Sequence, residues 1–350
     1  MATQHAVILG ALGVTGRNLL HWLEANTDWR ITGVARRKPN FETRAQFVQV
    51  DLLDRDATFE ALAHLKDVTH VFFCGFVPMP SWPEHDAPNL AILANGVEAI
   101  EKASPALEHV HLIEGTKIYG SHLGRFRTPA KEDDPPHMLP NFYYTQEQWL
   151  RRHRQGKDWS WSALRPQTVC GFSLGSPMNL INAIAVYAAI SKEMGLPLRY
   201  PGSEAAYRAI YQVTDADLLS KCMHWCATAE GARDDVFNIT NTDFFRWENV
   251  WPRFAKAFDM ELGQVQHISL AQFMPDKAGL WQDIQKKYGL EPYSFEDLVS
   301  WPFADYCFTR DYDVMTDTLK IRRAGFHDCV DTEQMFIDLF DTLRAKRVIP

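Results

Sequence analysis

The chain has 350 residues, 46% of them hydrophobic, and a formal net charge of −8 at pH 7. That size suits one large α/β unit or two domains sharing a cleft. The acidic balance argues against a nucleic-acid partner, since phosphate contacts need a basic surface, and no apolar run approaches the roughly 18 residues of a membrane span. The N-terminal AVILGALGV reads as a buried strand and turn, not a signal peptide, so a cytoplasmic protein is expected. Cys74, Cys170, Cys222, Cys226, Cys307 and Cys329 are scattered without paired zinc spacing. Cys222 and Cys226 share a helical face from which His224 points away, so reduced core thiols and no metal are expected.

Apolar runs alternate with helical patterns through the first half. HAVILG (5–10), RITGVAR (30–36), AQFVQVDL (45–52), THVFFCGF (69–76), HVHLIEGT (109–116) and WSALRPQTV (161–169) read as strands covered on both faces. Helical patterns such as 14–25, 87–103 and 142–153 lie between them. Such alternation implies right-handed βαβ units and a Rossmann-like doubly wound parallel sheet. The second half reads as helices at 178–194, 215–228, 247–258 and 332–346, with short strands near 197–200 and 236–239. The expected division is a cofactor-binding domain over 1–170, joined by later strands from 205–240, and a mainly helical substrate domain over 171–350.

VILGALGVTG places Gly10, Gly13 and Gly16 between the first strand and the first helix. The first glycine permits the tight turn, the second a close approach to a pyrophosphate, and the third helix–strand packing. Val14 and Thr15 add helix N-terminal N–H groups, which favour an anion. At the end of the second strand an acid would favour NAD, but GVARRKP puts Arg36 and Arg37 there. Two guanidinium groups suit a 2′-phosphate and hence NADP; a solvated basic turn is the other reading. Asp51, with Leu52 beside it, is expected near the adenine or as a helix N-cap.

NFYYTQEQWL (141–150) looks like the start of a helix presenting a tyrosine, yet Glu147 and Gln148 stand four residues after Tyr143 and Tyr144, where a lysine would be sought. A cation near the phenol would lower its pKa, and it need not share the helix. EGTKIYG puts Lys117 just past the fifth strand, at the edge where doubly wound folds bind ligands. A lysine reaching out to solvent is the alternative.

GTKIYG, NFYYTQE, GVARR, the RP and GF of LRPQTVCGF, SPMNLI, VYAAI, TDADL, WPFAD and the final VIP together resemble the progesterone 5β-reductase/iridoid synthase-like group of atypical extended short-chain dehydrogenases/reductases. The resemblance runs nearly end to end. It implies NADPH-dependent reduction of the C=C bond of an enone, with Lys117 and Tyr144 as the catalytic pair at the nicotinamide and Val169 lining the nicotinamide side. It also implies a small-molecule enone partner and, at family level, a homodimer. Phe76 and Pro302 depart from the group's aromatic pattern and leave the substrate open. Phe76, Phe142, Met178, Tyr211 and Phe326 are candidate pocket walls, each also readable as core packing. Arg165 reads as structural, and Asn179 as a helix cap. A ketone or aldehyde reductase, a sugar-nucleotide epimerase or dehydratase, and a non-catalytic NADP-binding regulator remain alternatives.

Overall fold

The computed structural model describes residues 4–350. Six strands, β1 (His5–Leu9), β2 (Arg30–Ala35), β3 (Gln46–Gln49), β4 (His70–Phe73), β5 (His109–Ile113) and β6 (Ser160–Pro166), are followed by β7 (Val169–Cys170), β8 (Ile210–Tyr211), β9 (Thr214–Asp215), β10 (Asp235–Ile239) and β11 (Phe245–Arg246). Seven of them form one parallel sheet in the order β10-β6-β5-β4-β1-β2-β3. Every residue of β1, β4 and β6 is buried, which is why these strands read as continuous apolar runs rather than alternating ones. The strand order reverses between β1 and β4, and a ligand crevice belongs outside the carboxyl ends of those strands.

Helices α1 (Val14–Asn26), α2 (Arg55–Leu62), α3 (Asp86–Ala103), α4 (Phe142–His153), α5 (Leu180–Glu193), α6 (Glu204–Arg208) and α7 (Ala216–Thr228) accompany the sheet. α1 packs on α7 over one face, while α3 lies between α2 and α4 over the other. The C-terminal helices are α8 (Trp247–Ala257), α9 (Leu270–Phe273), α10 (Ala278–Tyr288), α11 (Phe295–Leu298), α12 (Trp301–Phe308), α13 (Leu319–Ala324) and α14 (Thr332–Ala345); α10, α12 and α14 pack on α5, whose residues Leu180–Ser191 are all buried. No strand forms at 197–200; Leu198 makes only an isolated bridge to Leu262. Pro197 and Pro201 flank it without an N–H to extend a ladder. Asn179 caps α5, its side chain accepting from the Ile181 and Asn182 amides at 3.0 and 3.3 Å. Among the described residues no helix is long and apolar enough to cross a membrane, and no cluster of three metal-ligating side chains occurs.

Beneath the crevice Arg165 is buried and bonded on every side. Its Nε donates to Glu114 at 2.7 Å, Nη2 to Glu147 at 2.6 Å, and Nη1 to the Tyr119 hydroxyl and Glu132 carbonyl at 3.0 and 3.1 Å. The Tyr119 hydroxyl in turn donates to Asn238 Oδ1 of β10 at 2.6 Å. One guanidinium faces two carboxyl groups, so both cannot hold charge cheaply. Arg165 keeps Glu147 low, whereas burial and the neighbouring Glu147 push Glu114 up to about 8. Glu114 therefore keeps its proton at neutral pH, and Glu147 carries the balancing charge. Glu114→Gln should leave the thermal midpoint almost unchanged. Glu147→Gln should cost more, on the order of 2 kcal/mol, because Glu114 must then ionise in a fully buried place to compensate Arg165. Urea unfolding of the two variants checks this, and equal losses would refute the assignment.

Candidate active site

The loop after β1 has the shape that a pyrophosphate requires. Gly10 has φ +89°, and a Cβ there would lie 2.7 Å from the Gly75 backbone across the switch point. A Cβ on Gly16 would come within 2.4 Å of the Gly10 carbonyl, so helix and turn meet in contact only glycine allows. Gly13 is the N-cap of α1 and offers no side chain to the first-turn amides. The first intrahelical bond runs from the Arg17 amide to the Gly13 carbonyl at 2.9 Å, which leaves the Val14, Thr15 and Gly16 N–H groups free for an anion. These residues fit a bound dinucleotide.

Arg36 and Arg37 are exposed just past β2, and Arg37 Nη2 donates to the Gly175 carbonyl at 2.7 Å, spanning the crevice mouth. Leu52 is buried, its carbonyl accepting from Asn95 at 2.8 Å. Asp51 is exposed and accepts from the Leu53 amide at 3.1 Å, so it is not the α2 cap; Asp54 is, accepting from the Ala57 amide at 3.0 Å. The chain places its cap three residues later because Asp51 closes the preceding turn. Val169 is half-buried in β7, opposite Thr214 at the sheet edge.

The turn after β5 carries Lys117. Residues Thr116–Tyr119 make a 3₁₀ turn, ended by Gly120 at φ +75° with its N–H on the Lys117 carbonyl. Asn141 joins this turn to α4. Its Oδ1 accepts from the Tyr143 amide at 3.1 Å as the helix cap, while its Nδ2 donates to the Lys117 carbonyl at 3.0 Å. Tyr144 adds a second link, its hydroxyl donating to the Ile118 carbonyl at 2.8 Å. The Tyr143 hydroxyl has no such tie and lies 3.1 Å from the position of a Cβ on Gly115. Burial raises the pKa of both phenols, and Lys117 is not among the charges acting most on either. On Tyr144 the Arg165 charge pulls the other way but burial outweighs it, and both phenols keep their protons as hydrogen-bond donors.

Glu147 explains why no lysine stands one turn after Tyr143: it faces inward onto Arg165, where a second cation would be repelled. Lys117 Nζ instead lies 5.3 Å from the Trp82 ring and 4.8 Å from the Tyr306 ring. Phe76 and Phe142 join this cluster: Phe142 centroids are 5.7 Å from Phe76, 5.5 Å from Trp82 and 5.8 Å from His85. Met178, 43% exposed, precedes the α5 cap. Two expected wall residues are core instead. Tyr211 is fully buried against Phe245 and Trp247, with its hydroxyl 3.0 Å from Thr168. Phe326 packs on Trp225 beside α7, on the face of the sheet that α1 covers. Both were apolar residues with no local signal of which layer they would join. Trp82, His122, Tyr306 and Arg310 escape a sequence reading because they sit in irregular loops or on α12 and its end, where no periodicity shows which way a side chain faces.

Residues 25–350 match the family described as PRISE-like Rossmann-fold domain. The chain belongs to that family. Among its curated relatives is a 3-oxo-Delta(4,5)-steroid 5-beta-reductase of Arabidopsis thaliana, 33% identical over 99% of this chain and 93% of the relative. An (S)-8-oxocitronellyl enol synthase of Nepeta cataria is equally similar, 33% identical with the same coverage. The fold recurs in a UDP-glucose 4-epimerase of Thermotoga maritima (TM-score 0.70, 14% identity, covering 98% of this chain and 99% of that one). It also recurs in a short-chain dehydrogenase/reductase of Agrobacterium tumefaciens with bound NAD (TM-score 0.68, 13% identity, covering 99% and 98%). This PRISE-family protein therefore shares its fold with both of these structures.

Lys117 has a measurable cost. Its pKa is pushed down to about 8, by burial first and then by Arg310. The folded chain holds that proton less readily than the unfolded one. Lys117 thus destabilises the fold at all pH values below about 8, and the penalty fades as pH rises toward the ordinary lysine value. Lys117→Met should therefore stabilise the protein at pH 7 by on the order of 2 kcal/mol. Thermal melts at pH 7 and pH 10 check the sign: the gain should shrink at the higher pH.

Proposed function

We propose that this protein is an NADPH-dependent enone reductase, acting on the C=C bond of α,β-unsaturated carbonyl compounds. The observation that carries the reading is the clamping of the Lys117 turn onto the start of α4 by Asn141, in a chain of the PRISE family. When bound, NADPH supplies hydride for the β-carbon of the enone. Negative charge then grows on the carbonyl oxygen, and a preorganised phenol that donates to that oxygen stabilises the charge by on the order of 3 kcal/mol. Lys117 adds its field from the same edge. The α-carbon afterwards takes a proton from water. The aromatic rings around Phe142 seat the alkene.

Tyr144 is the proposed donor on the family motif, with its hydroxyl turning from the Ile118 carbonyl to the substrate. A second reading gives the role to Tyr143, and its untied hydroxyl beside Gly115 favours it. Tyr143→Phe and Tyr144→Phe separate the two. The donor's variant should lose about a hundredfold in kcat with NADPH affinity retained, and the other should lose far less. NMR of the products from a panel of enones tests the reaction itself: a saturated carbonyl supports it, and an allylic alcohol would move the function to 1,2-reduction.

Arg36 and Arg37 are the groups proposed to select NADPH through its 2′-phosphate. Replacing both with alanine should raise the KM for NADPH by roughly a hundredfold while leaving that for NADH nearly unchanged. Parallel loss with both cofactors would place the arginines elsewhere in the mechanism.

A further inference from the structure

Two cations, one half-buried and one buried, meet at the reacting edge, and neither has a carboxylate partner among the described residues. Lys117 is one. Arg310, just past α12 and 8% exposed, is the other. The Tyr306 ring lies close to both, 4.8 Å from Lys117 Nζ and 3.6 Å from Arg310 Cζ. Arg310 spends Nε on the Tyr306 carbonyl at 3.2 Å and Nη1 on the Ser121 carbonyl and the Tyr312 hydroxyl. Its Nη2 is buried without any partner. Beside it, the Trp82 Nε1 is also buried and unpaired, and its ring lies 4.1 Å from that of His122, whose buried ring nitrogens have the Lys117 carbonyl as their near backbone group.

The acids near this spot are committed elsewhere. Asp305 accepts from Ser269 Oγ and from the Leu270 and Ala271 amides, and Asp86 accepts from Thr145. The field of the two cations helps hold the His122 ring neutral, with a pKa pushed down to about 4, chiefly by burial. A neutral imidazole and an indole each offer one N–H. The enone reaction develops a single negative charge, which one cation suffices to balance. The second cation and the spare donors are surplus to that chemistry, and leaving them unpaired in a buried site is costly. The pyrophosphate site lies elsewhere, at the N-terminus of α1, so it does not account for them.

Resting on the enone-reductase reading, we infer that the substrate carries a carboxylate as well as the enone, and that Arg310 grips this carboxylate with Trp82 and His122 beside it. The aromatic rings of Phe76 and Phe142 then hold the carbon skeleton.

The test uses cyclohexenones bearing a carboxylate on tethers of increasing length, each beside its methyl ester. Calorimetry on the protein–NADP⁺ complex gives affinities without turnover, and NADPH assays run in parallel. At one tether length the acid should bind about tenfold more tightly than its ester. Arg310→Met should remove that preference, and Arg310→Lys, which keeps the charge without the fork, should retain part of it. Esters binding as well as acids at every length would overturn the inference. So would an acid preference that survives Arg310→Met. If Arg310→Met fails to fold, Trp82→Phe serves instead, and an unchanged acid preference in it would likewise overturn the proposed grip. Reduction of esters at the C=C bond without acid preference would leave the enone-reductase reading standing and the carboxylate subsite refuted. Arg310-dependent acid binding without reduction of any compound would do the reverse.

Discussion

The buried guanidinium of Arg165 is the constraint around which the site is arranged. It joins the end of β6 to Glu114 past β5, to Glu147 on α4 and, through Tyr119, to Asn238 on β10. A buried cation tolerates only a surrounding that compensates it. Glu147 supplies that compensation from the inward face of α4, one turn beyond Tyr143. A lysine four residues after Tyr143 would stand at that position and be repelled by Arg165, and four residues after Tyr144 stands the exposed Gln148, so a cation beside either phenol has to come from another element.

The turn after β5 meets that demand because Asn141 serves two elements with one side chain. Its oxygen caps α4 and its nitrogen holds the Lys117 carbonyl. Tyr144 then fastens the next carbonyl of the same turn. The NFYY segment is thus a helix start, a clamp and a source of phenols at once. Placing Lys117 among aromatic rings and near Arg310 makes it a poor contributor to stability. That is the usual relation between a site that must meet developing charge and a fold that would prefer apolar packing there.

The aromatic cluster shows how little of a substrate pocket is carried by local pattern. Phe76 and Phe142 belong to it, and Trp82, His122 and Tyr306 complete it from loops and from α12. Tyr211 and Phe326 look the same in the sequence as Phe142, yet they pack in two separate cores. Side-chain chemistry alone does not distinguish a wall from a core position. The distinction depends on which layer each element joins.

The sequence by itself determined the strand–helix alternation, the glycine turn after β1, the paired arginines after β2 and the lysine after β5. Each rests on short-range physics: fully covered strands require unbroken apolar runs, and a tight turn against a phosphate requires glycine. Asn179 is legible as a cap for the same reason, whereas the cap of α2 goes to Asp54 and not Asp51, because two acids three residues apart compete for one helix start. The tertiary structure alone decided that Glu147 turns onto Arg165, that the Tyr144 hydroxyl is tied and the Tyr143 hydroxyl is not, and that Arg310 arrives beside Lys117. Those contacts join residues 18 to 193 positions apart in the chain. No local periodicity encodes them, because they are fixed only when separate layers close over one sheet edge and each buried charge must find, or lack, its partner.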